Sequence, residues 1–165
     1  TSEKKKFGVQ KGILKLRSKQ EYLALRKLSH LSKNMYNVGL YSVRQHFFET
    51  KTYLNYDKNY HLCKTNENYT LMGTAAAQQT LKKVEENFKS FFGLLKNKDR
   101  KANIPNYLDK ESFFELSYPQ FKIQQDGTFN VPMSSAFKKE YGLINIQFPN
   151  NLAVENIVEI RSITK

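Results

Sequence analysis

Apolar residues fall at helical spacing through two long stretches of the chain and at alternating spacing through its last third. Leu28, Leu31, Met35 and Val38 recur at intervals of three and four, which places them on one face of a helix. Ser18-Lys19-Gln20-Glu21 has the form of a capping box, in which Ser and Glu each satisfy an open backbone N–H at a helix start. A long helix is therefore expected from there to about Glu49. A short helix is expected over 55–64, closed by the polar run Thr65-Asn66-Glu67-Asn68. A second long helix should run from Thr74 to Lys96, with Ala77, Leu81, Val84, Phe88, Phe92 and Leu95 as its buried stripe. Gln79, Lys82, Lys83, Glu86 and Ser90 should face outward.

Beyond Pro105 the period changes. Phe114/Leu116, Phe121/Ile123 and Phe129/Val131 alternate as strands do, and Asp126-Gly127 marks a hairpin. A two-residue loop would pair Ile123 with Asn130. A three-residue loop, Gln125-Asp126-Gly127 with Gly127 left-handed, would pair Ile123 with Phe129 and Phe121 with Val131. The second register keeps apolar side chains on one face and is preferred. Further strands are expected at 143–148 and 157–163, and one or two short ones at 7–17, where Phe7, Val9, Ile13, Leu14 and Leu16 sit among lysines. A lone N-terminal strand needs later strands to pair with. The expected fold is therefore α+β: a small, wedge-like β-barrel built from strands of 1–17 and 105–165, with a three-helix block, 18–104, inserted between them.

Charge sharpens this picture. The 165 residues carry 27 Lys and Arg against 15 acidic side chains, a net charge of +12. Residues 1–110 hold 22 basic and 9 acidic side chains, whereas 111–165 hold 5 and 6. Basic character belongs to the first two thirds, and such a surplus favours polyanionic partners. Along the long first helix, Arg26, Lys33, Asn37 and Arg44 fall within about 20° of one line opposite the apolar face. They form either a solvated face or a phosphate-facing stripe. Lys4-Lys5-Lys6 and the loop Lys96–Lys101 add cations, and ten tyrosines supply rings for stacking on bases.

Catalytic chemistry is not indicated. His30, His46 and His61 have no ligand spacing, and Glu85 and Glu86 are adjacent, so they point to different sides of their helix. Gly8-x-x-x-Gly12 lacks the lysine and helix start of a phosphate loop. Cys63 is the only cysteine, which excludes an intrachain disulfide and a cysteine-rich zinc site and suits a reducing cytoplasm. No apolar run approaches the roughly 18 residues of a membrane span, so no membrane partner is expected. Thr1 stands where an initiator Met would, and the chain stops in mid-pattern at Ile163-Thr164-Lys165, as a fragment would.

The block Thr74-Ala75-Ala76-Ala77-Gln78-Gln79-Thr80-Leu81 through Asn87-Phe88-Lys89-Ser90-Phe91-Phe92 resembles a helix of the TnpB (OrfB-type) transposon-encoded RNA-guided endonucleases. That helix has a Gln near its start, then Leu, then an aromatic-Lys-x-Phe-Phe ending. Asn34-Met35-Tyr36-Asn37 resembles the family's first long helix. Asn103-Ile104-Pro105-Asn106-Tyr107 stands where Gly-x-Pro-Arg-Phe is usual. Asp126-Gly127-Thr128-Phe129-Asn130-Val131-Pro132 and Ile157-Val158-Glu159-Ile160-Arg161 are similar to the approach to the nuclease domain. The succession spans nearly the whole chain.

The resemblance implies the N-terminal recognition and wedge portion of such a nuclease, related to type V CRISPR nucleases. It implies two partners, a guide RNA and double-stranded target DNA, in a prokaryotic cytoplasm or nucleoid. The RuvC-like acidic triad and zinc segment would lie beyond Lys165, so this portion carries no enzyme activity and no cofactor, while the parent would use Mg and structural Zn. Tyr56, Tyr60, Thr74, Gln78 and Lys82, with Ser117 and Tyr118, are expected at the duplex; Gln can bond a purine edge bidentately. Ala75 and Thr74 replace the Phe or Lys often found beside that Gln. Lys5, Lys6, Lys11, Lys15, Arg17, Arg26, Lys33, Asn37, Arg44, Lys98, Arg100 and Lys101 are expected on RNA. Alternatives are a nuclease-dead DNA-binding repressor, a stand-alone DNA-binding module, and a protein-interaction domain using Leu25, Tyr36, Leu40 and Phe47 as an apolar patch.

Overall fold

Helix α1 (Lys19–Thr50) begins where the sequence places it, with Ser18 accepting the Glu21 N–H at 3.2 Å. The capping box is only half made. The Glu21 carboxylate is buried and accepts instead from Arg17 Nε at 2.8 Å and from the Asn145 N–H at 3.1 Å, tying the helix start to a strand 124 residues later. The computed structural model describes residues 8–14, 16–148, 157 and 159–164. After α1 come α2 (Tyr56–Cys63), α3 (Glu67–Met72) and α4 (Thr74–Lys96), then β1 (Leu116–Tyr118), β2 (Phe129–Asn130), α5 (Ser135–Tyr141), β3 (Asn145–Ile146) and β4 (Ile160–Ser162). The fold is mixed helix and sheet.

The long helices pack along each other, and the core lies between them in two regions. One joins the first half of α1 and of α4 to α3, α5 and the strands, through Leu28, Met35, Met72, Ala77, Leu81 and Phe137. The other joins the second halves through Leu40, Val43, Val84, Phe88 and Phe91. The stripe expected on α4 holds from Ala77 to Phe88, but Leu95 is exposed and Phe91 is buried beside a half-buried Phe92. The reason is Phe47, whose ring meets Phe91 and Phe92 edge-on at 5.6 and 5.4 Å, so the rings share one site at the end of the helix pair.

Among the described residues the strands form two antiparallel ladders. β1 pairs with β4, Leu116 opposite Ser162, and β2 pairs with β3, Phe129 opposite Ile146. The hairpin register follows the expected one. Ile123 bridges Phe129, Gln124 N–H donates to Thr128 O at 2.7 Å, and Gly127 takes φ 81°. The pairing stops at that bridge, so the expected Phe121–Val131 pair is not made, and the Val131 N–H donates to Ile144 O on the other side.

The N-terminal strand needs correction. Residues 8–14 join no ladder, and Val9 and Ile13 stay exposed; the neighbour of β1 is β4 instead. Phe7 and Lys15 of that expected strand, and Val158 of the last one, lie outside the described residues.

Candidate nucleic-acid interface

Helix α2 is held by one face and displays the other. Asn55 caps it, accepting the Lys58 N–H at 2.9 Å. Asn59 is buried and donates to Gly39 O on α1 at 3.2 Å, while the Cys63 thiol donates to Asn59 Oδ1. Tyr56, Tyr60 and Lys64, spaced by four, run along the flank of that buried face, the two rings half-buried against the core and Lys64 exposed. Tyr56 and Tyr60 stack with centroids 6.2 Å apart, and Tyr69 of α3 adds a third ring 6.1 Å from Tyr60. Lys64 Nζ lies 5.9 Å from the Tyr60 centroid, and Lys82 Nζ of α4 lies 5.5 Å from that of Tyr56.

Thr74, Gln78 and Lys82 form a second stripe of spacing four, along the start of α4. Thr74 and Lys82 are exposed and Gln78 is half-buried. Gly73 precedes this helix with φ 92° and offers no side-chain cap, so the first-turn N–H groups receive no acceptor from the residue before the helix. A Cβ on Gly73 would stand 3.1 Å from the Ser134 backbone nitrogen, so glycine lets the 133–134 turn close against the helix start.

Glu85 fixes the arrangement from behind. Its carboxylate accepts the Tyr53 hydroxyl and, at 3.1 Å, the Tyr56 N–H at the start of α2. Burial opposes its ionisation, but these donors together with Lys89 and Lys82 hold it below the usual carboxylate range. Burial first, then the neighbouring Tyr69, Tyr60, Asp57 and Glu85, pushes Tyr56 up to about 12. The phenol therefore stays a neutral hydrogen-bond donor near neutral pH. The Tyr69 hydroxyl is buried without a well-formed hydrogen bond, close to the polar groups of Thr74 and Gln78.

Five expected duplex residues, Tyr56, Tyr60, Thr74, Gln78 and Lys82, are thus brought to one face. Ser117 and Tyr118 are not. Ser117 donates to Glu159 across the β1–β4 ladder. Tyr118 is 1% exposed, packed edge-on against Phe129 at 5.6 Å, and burial pushes its phenol up. Tyr118 shares the inward face of β1 with Leu116, which removes it from any duplex surface. Lys64 and Tyr69 belong to the cluster and were not among the expected residues. The spacing Tyr56, Tyr60, Lys64 carries the signal for the first. The second sits on α3, a helix hidden in a polar run.

The expected stripe on α1 is real as geometry but does not stand open, since the chain's own segment 104–114 runs across it in the opposite direction. Asn37 binds both the N–H and the C=O of Leu108, at 2.8 and 3.0 Å. Arg44 Nη1 donates to Pro105 O at 2.9 Å, and Phe114 N–H donates to Ser29 O at 3.1 Å. Arg26 covers the Phe113 ring at 5.2 Å. Lys33 is 4% exposed, and burial lowers its pKa. Expectation of a phosphate-facing stripe is corrected at Lys33 and Asn37, which are turned to the chain itself.

Elsewhere, Arg17 is paired with Glu21, while Lys11, Lys98, Arg100 and Lys101 are exposed. Lys5, Lys6 and Lys15 lie outside the described residues. The apolar flank proposed for a protein partner is also corrected, because Leu25, Tyr36 and Leu40 are core residues and Phe47 is half-buried among Phe88, Phe91 and Phe92. Among the described residues no group of three or more His, Cys, Asp or Glu could hold a metal ion, and no helix is long and apolar enough to cross a membrane. No family model matches the chain, and no curated protein matches it.

Proposed function

We propose that this chain binds nucleic acid, reading duplex DNA with the α2–α4 face, and that it is the recognition and wedge portion of a TnpB-type RNA-guided endonuclease. The observation that carries the reading is the convergence of Tyr56, Tyr60, Thr74, Gln78 and Lys82, from two helices, beside an uncapped helix start. The cations neutralise phosphates and the uncapped N–H groups receive one, while Gln78 supplies the paired donor and acceptor that a purine edge requires. The guide RNA is assigned to exposed, unpaired cations among those expected on it, Lys11, Arg26, Lys98, Arg100 and Lys101. The two ladders of β1–β4 and β2–β3 supply the wedge framework, and the order of motifs from Asn34 to Arg161 supports the family.

Fluorescence anisotropy with duplex DNA and structured RNA over a salt series tests this. Affinity is expected to fall steeply with salt. Gln78→Ala should change sequence preference among duplexes, and Lys101→Ala should weaken RNA binding alike for every sequence. Salt-independent binding, or an unchanged preference in Gln78→Ala, would defeat the proposal. A nuclease-dead repressor would share the duplex preference but bind it without RNA.

A further inference from the structure

The far end of the helix pair carries a second surface of different chemistry. Tyr41, Arg44 and Phe48 lie within about 60° of one another around α1, by their spacing of three and four. Tyr41 is 58% exposed, Phe48 46%, and Tyr107, on the crossing segment, 42%. The Arg44 guanidinium stands 4.7 Å from the Tyr107 ring centroid and 5.6 Å from that of Phe48, held in place by Pro105 O. A cation is thus set between two exposed rings, and a third ring lies one turn along.

The basic loop belongs to this end. It leaves α4 beside Phe91 and Phe92, which pack on Phe47, and returns to α1 at Pro105, which holds Arg44. Lys96, Lys98, Arg100 and Lys101 are therefore carried past the rings, with Lys51 over Phe47 at 5.4 Å on the same helix end. The nearby acids include Asp99, whose carboxylate accepts the Lys101 N–H, Asp109, exposed two residues beyond Tyr107, and Glu49, exposed on another side of α1. At 1.5 Å per residue the end of α4 lies roughly 34 Å from Gly73, and this surface flanks the second half of that length.

We infer that this is a binding surface for single-stranded nucleic acid, whose bases stack on Tyr41, Phe48 and Tyr107 while Arg44 and the loop cations take the phosphates. Rings interleaved with cations fit this partner better than an apolar protein face, because each ring offers a flat surface to any base and each cation a phosphate contact. The inference rests on the nucleic-acid reading above, but on residues that the duplex face does not use.

The test uses the full chain and three labelled probes: an oligouridine, an abasic oligomer with the same number of phosphates, and a DNA duplex. The native chain should prefer oligouridine to the abasic strand by roughly tenfold for each stacked base. Substituting Tyr41→Ala, Phe48→Ala and Tyr107→Ala together should abolish that preference and leave duplex affinity unchanged. Lys98→Ala with Lys101→Ala should weaken oligouridine and abasic strand equally. Helical circular dichroism monitors folding, and if the triple variant is unstable, Tyr41→Ala alone, at the most exposed ring, should lower the preference by roughly tenfold with duplex affinity unchanged.

Equal binding of the oligouridine and abasic strands by the native chain, or a preference that survives the ring substitutions, overturns the inference. So does a concentration-dependent dimer that the ring substitutions dissolve, which would assign the patch to a second copy of the chain. If duplex binding is present in either case, only this surface fails. Loss of all three probes would instead remove the nucleic-acid reading itself.

Discussion

Gly39→Ala probes the joint on which the duplex face depends. Gly39 is buried on α1, and a Cβ there would lie 2.6 Å from Leu81 Cδ2, 3.4 Å from Val84 Cγ2 and 3.4 Å from Asn59 Nδ2. An ordinary carbon contact is about 3.5–4.0 Å, so the Leu81 methyl would have to retreat by about 1 Å. Leu81 and Val84 are fully buried, which leaves the displaced atom no solvent to move into. Alanine gains about 1 kcal/mol over glycine in a helix interior. Overpacking of a close-packed core, the off-rotamer leucine included, costs about 1–3 kcal/mol, and a 2.6 Å approach to a fully buried neighbour falls in the upper half of that range. The packing effect wins, and the variant should be less stable by about 1–2 kcal/mol.

Urea unfolding followed by circular dichroism should show a lower midpoint with an unchanged slope. Leu81→Ala should cost about 2–5 kcal/mol alone and visibly less in the Gly39→Ala background, because the new methyl partly fills the cavity. The displacement also bears on function. Gly39 O anchors Asn59, so duplex affinity should fall while the oligouridine preference stays. Stability equal to or above that of the native chain, with additive effects at positions 39 and 81, would refute the close approach of α1 and α4 and the reasoning built on it.

Asn37→Ala strips the N–H and C=O of Leu108 of their shared partner, so urea unfolding should register a loss of about 2 kcal/mol and proteolysis should reach 104–114 sooner. Ser134→Ala removes both the cap of α5 and a hydrogen bond to Leu71 O, and a melt should record a loss of about 1 kcal/mol. Glu85 is held below the usual carboxylate range in the folded chain, so the stability it contributes is complete above its unfolded value of about 4.3 and is lost as pH falls through the folded one. Glu85→Gln should therefore flatten the acid limb of the stability–pH curve, measured by urea midpoints at successive pH values.

Long elements were legible in the sequence because their periods repeat many times. The apolar face of α1 and that of α4 as far as Phe88 could be written down residue by residue, and so could the turn at Gly127, where setting Ile123 opposite Phe129 selects one register. Short helices were not. In α3 the six residues Glu67–Met72 follow a polar run, and in α5 the seven residues Ser135–Tyr141 interrupt a stretch whose alternation reads as strand. Each is fixed by its cap and by burial of Met72 or Phe137, which are tertiary facts. The residues of the α2–α4 cluster were named from the family resemblance, and they meet because Tyr56 and Tyr60, and Thr74, Gln78 and Lys82, repeat at spacings of four on their helices. The polar stripe on α1 was placed correctly and given the wrong neighbour, since a helical wheel shows which side chains share a line but not which distant segment returns to cover it. Tyr118 could have been read as core, because two-residue alternation puts it with Leu116.

That returning segment also decides how the surplus charge is presented. Lys33 is buried beneath it and Arg44 is bonded to it, while Arg17, Lys83, Lys89 and Arg161 are paired with Glu21, Glu115, Glu85 and Glu159. A cation already neutralised or buried in the chain displaces few counterions when a phosphate arrives, so it adds little to the salt dependence of binding. Among the described residues the exposed cations without an ion pair include Lys64 and Lys82 beside the start of α4 and Lys96, Lys98, Arg100 and Lys101 at its end, while Lys11, Lys19, Arg26, Lys51, Lys58, Lys110, Lys122, Lys138 and Lys139 are spread elsewhere. A duplex bound beside the start of α4 should therefore show a salt slope set by Lys64, Lys82 and the uncapped helix start, well below the value that a net charge of +12 would suggest. A slope near that larger value would mean that exposed cations outside this place, such as Lys138 and Lys139, join the contact, and would refute a footprint confined to the start of α4.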